Sequence, residues 1–135
     1  MNPTHPDYAF RVPMALPHAE AIAAVTQALA AEGFGVLTEI DMQATMRAKL
    51  GEEYRPMLIL GACNPGFAHQ AMGVAPSVAT LLPCNVVVRE TGSGVEVETV
   101  DPAMLVEVTD SADLTPLAEE LRAKLERVFA ALPAA

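Results

Sequence analysis

Apolar and polar positions along this chain follow two rhythms, and the switches between them mark out the elements. YAFRV, from Tyr8 to Val12, alternates weakly and predicts a short first strand ended by Pro13 and Pro17. From His18 to Glu32 the apolar residues Ile22, Val25 and Leu29 recur at helical spacing, with Pro17 at the start and Gly33 as the stop. FGVLTEID, 34 to 41, returns to alternation and meets Asp41, a good N-cap. Met42, Met46 and Leu50 then sit four apart, with Arg47 and Lys49 near the end and Gly51 after it, which predicts a short second helix. MLILGAC, 57 to 63, is apolar on both faces and reads as a central strand.

After Cys63, Asn64 can cap and Pro65 can open a third helix reaching roughly Met72, with Gly73 to Pro83 a packed connection broken by Pro76. CNVVVRE, 84 to 90, and VEVETV, 95 to 100, flank TGSG and predict a hairpin. In its second strand Val95, Val97 and Thr99 alternate with Glu96, Glu98 and Val100, so one face is wet. Asp101-Pro102 stops that strand, and one more short extended piece is expected around Leu105 to Val108. The last element is the clearest: Thr115 caps, Pro116 opens, and Leu117, Leu121, Leu125, Val128 and Leu132 form one stripe, with Glu120 and Lys124 paired on the wet face. Strands and helices in this order predict an α+β domain, a mainly antiparallel mixed sheet with helices packed on it and a long C-terminal amphipathic helix, in a single domain over 1–135 with its core at about 8–132.

Composition narrows the partners. The chain has 135 residues, is 52% hydrophobic and has a mean hydropathy of +0.31, so some apolar surface is expected to go into self-association. A formal charge of -9 and a pI near 4.6 repel phosphate backbones and anionic headgroups, which argues against nucleic acid and membrane surfaces as partners. No apolar stretch approaches the roughly 20 residues that span a bilayer, and MNPTHPDYAF lacks the pattern of a signal peptide, so a cytoplasmic setting is expected. In that setting the two cysteines, Cys63 and Cys84, are expected to be thiols, and their spacing fits no zinc, thioredoxin or haem-attachment motif.

Four segments are distinctive in combination and in order: GFGVLTEID, ILGACNP, LLPCNVVV and the closing VDP. Through them the chain resembles the domain-of-unknown-function family numbered 302, strongly over Phe34 to Pro102. The resemblance implies a mainly antiparallel sheet with helices packed on it and a tendency to form homodimers. It implies no activity or cofactor, and a fold by itself defines neither.

The candidate chemistry centres on Cys63. Just before a helix N-terminus, backbone N–H groups and the helix dipole favour a thiolate, which would suit redox sensing, a soft metal or a small molecule. The competing reading is a small buried side chain in a binding or interaction module with inert cysteines. If the strands of Cys63 and Cys84 are antiparallel neighbours, the two sulfurs come within reach; if parallel, a strand length of roughly 20 Å separates them. Asn64 would orient the turn, and His69, on the second turn of the third helix, is the only nearby imidazole in sequence. Cys63, Cys84 and His69 make three metal ligands at best, and nearby methionines such as Met72 or Met104 would favour copper(I) over zinc. Met42, Met46 and Met57 read more simply as core fillers. A nucleophilic enzyme ranks third, since no base or oxyanion hole can be named. TGSG lies in a hairpin and not at a strand-to-helix elbow, Glu39, Asp41, Asp101 and Asp110 read as caps and turn residues, and His5 and His18 as surface residues.

Overall fold

The elements run β1 (Ala9–Met14), α1 (His18–Ala31), β2 (Gly35–Asp41), α2 (Met42–Leu50), β3 (Met57–Cys63), α3 (Pro65–Val74), β4 (Cys84–Thr91), β5 (Gly94–Val100), α4 (Ala103–Thr109) and α5 (Thr115–Ala130). The structure, a computed structural model, describes residues 8–135, and His5 lies outside them. The strands form one five-stranded sheet in the order β1-β5-β4-β3-β2. All four pairings are antiparallel, so the expected mainly antiparallel sheet is antiparallel at every strand pair.

Strand alternation gives the sheet a core face and an outer face. Phe10 and Met14 of β1, Leu60 and Ala62 of β3, Val86 and Val88 of β4, and Val95 and Val97 of β5 are buried together. Against them pack Val25 and Leu29 of α1, Ala71 of α3 and the α5 stripe of Leu121, Leu125 and Val128. Each fully buried leucine of that stripe contributes about 2 kcal/mol of transfer free energy, which is why the weakly apolar α5 is held on the sheet.

Several local expectations are corrected. β1 does not end at Val12 but runs through Pro13. It is an edge strand, where proline's missing N–H costs no ladder bond, and the Pro13 carbonyl accepts from the Ala135 N–H on the side away from β5. The segment around Leu105 to Val108 is helical, not extended. Asp101 Oδ1 accepts the Ala103 N–H and the Met104 N–H bonds to the Asp101 carbonyl, so the first turn forms despite the β-branched content. α3 continues to Val74, and Pro76–Leu81 is a 3-10 helix.

Thr115 does not cap α5. A 3-10 turn over Ala112–Leu114 leads directly into the helix, so Leu114 already has helical angles and no side chain caps the end. α2 carries no buried residue, and Met42, Met46 and Met57 are half-buried and not core. Asp41 does cap α2 through the Ala44 N–H at 2.9 Å, and Gly51 ends it in the left-handed region at φ 67°. His18 is more than a surface residue: its Nε2–H donates to the Val88 carbonyl at 2.9 Å and ties the start of α1 to β4.

Candidate functional site

The outer face is where the chemistry gathers. Register aligns Ile40, Ile59, Val87, Glu98 and Arg11 in one row across the sheet. The row beside it holds Met57, Arg89, Glu96 and Pro13. Apolar side chains thus occupy the β2–β3 half and charges the β4–β5–β1 half.

The charges form a lattice in which every cation meets both anions. Arg11 is 2.6 Å from Glu98 Oε2 through Nη2 and 3.2 Å from Glu96 through Nε. Arg89 reaches Glu96 at 3.2 Å and also bonds Glu98 through Nε. All four side chains are largely covered, Glu98 most at 17% exposure. Burial pushes the Glu98 carboxyl up, but the hydrogen bonds and charges of Arg89 and Arg11 outweigh it and hold the carboxyl below its ordinary range. Two positive and two negative groups leave the lattice with no net charge.

Beside the lattice the outer face dips into a hollow of about 300 Å³. Val87 of β4 and Val100 of β5 give it apolar lining, and Arg11, Glu98 and Asn85 supply its polar wall. Leu81 and Pro83, from the segment leading into β4, and Tyr8 form the rim. Thr99 Oγ1 donates to the Asn85 carbonyl at 2.9 Å and fixes the backbone beneath that wall.

β3 and β4 are antiparallel neighbours, and Ala62 pairs with Cys84, so Cys63 lies one residue from the partner of Cys84. By alternation Cys84 falls in step with Val86 and Val88 on the core face, and Cys63 with Ile59 and Gly61 on the outer face. Both are free thiols. Cys84 packs against the core and also touches the edge of the hollow. Burial, with Cys63 adding to it, pushes its thiol up to about 11, so at neutral pH it is protonated.

Asn64 does orient the turn. Its Oδ1 accepts the Phe67 N–H at 3.1 Å and its Nδ2 donates to the Glu32 carbonyl at 3.3 Å, joining the start of α3 to the end of α1. Of the first-turn donors, Pro65 has none and Phe67's is taken by Asn64. His69 is exposed on α3. Among the described residues no three His, Cys, Asp or Glu side chains are grouped to hold a metal ion, so Cys63, Cys84 and His69 are not assembled as a ligand set.

Sequence reasoning missed the hollow. Its residues come from β1, β4 and β5 and from the segments leading into β1 and β4, and the available signal was Arg11 and Arg89 in mid-strand facing the Glu96/Glu98 alternation.

The antiparallel sheet with α1, α3 and α5 packed on its core face defines a small α+β domain. The family described as "Domain of unknown function DUF302" matches residues 10–132, and the chain belongs to that family. A solved relative, an uncharacterized conserved protein DUF302 from Bacillus stearothermophilus, is 26% identical, with a TM-score of 0.87 over 93% of this chain and 98% of that one. No curated protein matches the chain. Among the described residues no helix is long and apolar enough to cross a membrane.

Proposed function

We propose that the protein is a binding module that holds a small molecule in the outer-face hollow, with its cysteines as packing residues and not as reactive thiols. The hollow carries this reading: about 300 Å³, apolar at Val87 and Val100, with convergent polar groups at Arg11, Glu98 and Asn85. That mixture, a mostly apolar concavity with a few fixed polar groups, is the usual composition of a small-molecule site. A Cys84 thiol pushed up to about 11 favours binding over thiol chemistry, because the neutral form is a poor nucleophile and a poor metal ligand.

The test uses a neutral naphthalene dye of the prodan type and the variant Val87→Trp, which fills the hollow. Saturable binding at one site, lost at least tenfold in Val87→Trp and retained in Cys84→Ala, is expected. Non-saturable binding, or binding that ignores Val87→Trp, overturns the reading.

Self-association is a second property favoured by a separate observation. β2 is an edge strand, and its Leu37 and Ile40 are 66% and 46% exposed. A homodimer built on this edge would cover them. Sedimentation of Ile40→Lys should then report a monomer where the parent chain is a dimer, and an unchanged sedimentation coefficient would exclude this edge.

A further inference from the structure

The hollow continues into a second one. A depression of about 210 Å³ is lined by Tyr8, Leu81 and Val100, all three shared with the first, together with Met104, Leu105 and Val108 of α4. The three shared residues join the two hollows, and all three are exposed. The groove therefore changes character along its length. At the sheet end stand a guanidinium, a carboxylate and an amide; at the α4 end the lining is aliphatic except for Tyr8.

The charge state of the polar end limits what it can hold. Arg11 is matched by Glu98 and Glu96, and Arg89 faces the same two carboxylates. An ionic head would have to break this lattice or sit beside it uncompensated, and both are unfavourable in a half-covered site. A hydroxyl, ester or amide head needs neither, and can hydrogen-bond to groups already fixed there. The α4 end offers contact without direction, which suits a flexible aliphatic chain, and Met104 is an unbranched side chain that adapts to it.

Resting on the binding reading above, we propose that the ligand is an uncharged amphiphile with a single aliphatic chain. Its polar head lies against Arg11, Glu98 and Asn85, and its chain crosses Tyr8, Leu81 and Val100 toward Met104 and Val108.

The experiment is displacement of the naphthalene dye by monoacylglycerols of four, six and eight acyl carbons, kept below their micellar concentrations, with octanoate as the charged control. Affinity should rise about fourfold per added methylene, the fold-change that corresponds to burying one CH₂. Octanoate should displace the dye more weakly than the eight-carbon monoacylglycerol. Val108→Glu, at an exposed position, should flatten the chain-length dependence and leave the four-carbon homologue unaffected; Val108→Ser serves if the glutamate unfolds α4.

A flat series, tighter binding of octanoate, or chain-length dependence that ignores both Val108 variants overturns the proposal. If these occur while the dye still depends on Val87, the hollow remains a binding site and only the amphiphile is wrong. If the dye itself ignores Val87→Trp, the underlying reading fails first. A parent dimer that Val108→Glu converts to monomer would mean that a second copy of the chain covers the groove, which also overturns the proposal.

Discussion

The hydroxyl of Thr38 occupies the space in which a side chain at Gly61 would begin. The two residues are register partners on the outer face of β2 and β3, and a Cβ on Gly61 would fall well inside contact with Thr38 Oγ1 and 3.0 Å from Pro83 Cγ. Gly61→Ala should therefore cost about 1–3 kcal/mol through overpacking in a rigid sheet. Thr38→Ala in the same chain should recover part of it, because the nearer of the two obstructions is then gone. Urea denaturation of the single and double variants checks this, and additive costs would mean that the sheet yields elsewhere.

Glu98 makes stability depend on acid. Its folded carboxyl titrates below the ordinary value of 4.5 that it regains on unfolding. The sign follows from linkage: the contribution is fully present above that ordinary value and is lost as pH falls through the depressed folded value. At neutral pH Glu98→Gln should destabilise the fold by about 1.5–3 kcal/mol, the range for hydrogen bonds to charged groups. The gap between the two proteins should narrow as pH drops below about 4.5. A gap that stays constant between pH 7 and 3 would show the lattice to be energetically idle.

Cys84 should resist alkylation at neutral pH. With its thiol at about 11, the labelling rate of native protein should rise only in strong base, well above the free-thiol midpoint of about 8.5. Peptide mass spectrometry of iodoacetamide-treated protein across pH separates it from Cys63. A Cys84 midpoint below about 8.5 would restore the thiol-centred site as the leading function and displace the binding reading.

Asn64→Ala should cost about 1–2 kcal/mol, the loss of an N-cap to α3 together with the bond to the Glu32 carbonyl. Asn64→Asp keeps the cap acceptor but replaces the Nδ2 donor with an oxygen facing that carbonyl, so it should rescue only part of the loss. Thermal unfolding of the two variants distinguishes the roles, and full rescue by aspartate would mean that the tie to α1 contributes nothing.

What could be read in the sequence was what is decided locally. α1 and the α5 stripe follow from 3.6-residue spacing, and the β4–β5 hairpin from a glycine-containing turn between two alternating strands. α4 was misread because Leu105, Val106 and Val108 favour a strand by type, while the Asp101 side chain that starts the helix acts through one hydrogen bond. Cys63 and Cys84 could be named as a pair, but their opposite faces depend on the register of Ala62 with Cys84, which only the folded sheet supplies. The hollow was least visible, because Arg11 and Glu98 are 87 positions apart and become neighbours only when β1 joins β5.

The C-terminal residues bridge to the first strand: Met14 pairs antiparallel with Ala134, flanked by hydrogen bonds from Ala15 N–H to the Pro133 carbonyl and from Ala135 N–H to the Pro13 carbonyl. Because the pairing is antiparallel, the chain running from Pro133 to Ala135 heads toward the end of β1 at which Ala9 lies. Under tension applied between Tyr8 and Ala135, as in a molecule held by these two residues in an optical trap, these bonds are loaded one after another and not together, and the seam unzips at low force before any strand of the sheet is sheared. The first step in such an extension trace would be the short, weak release of Pro133 to Ala135, with the five-stranded sheet intact behind it.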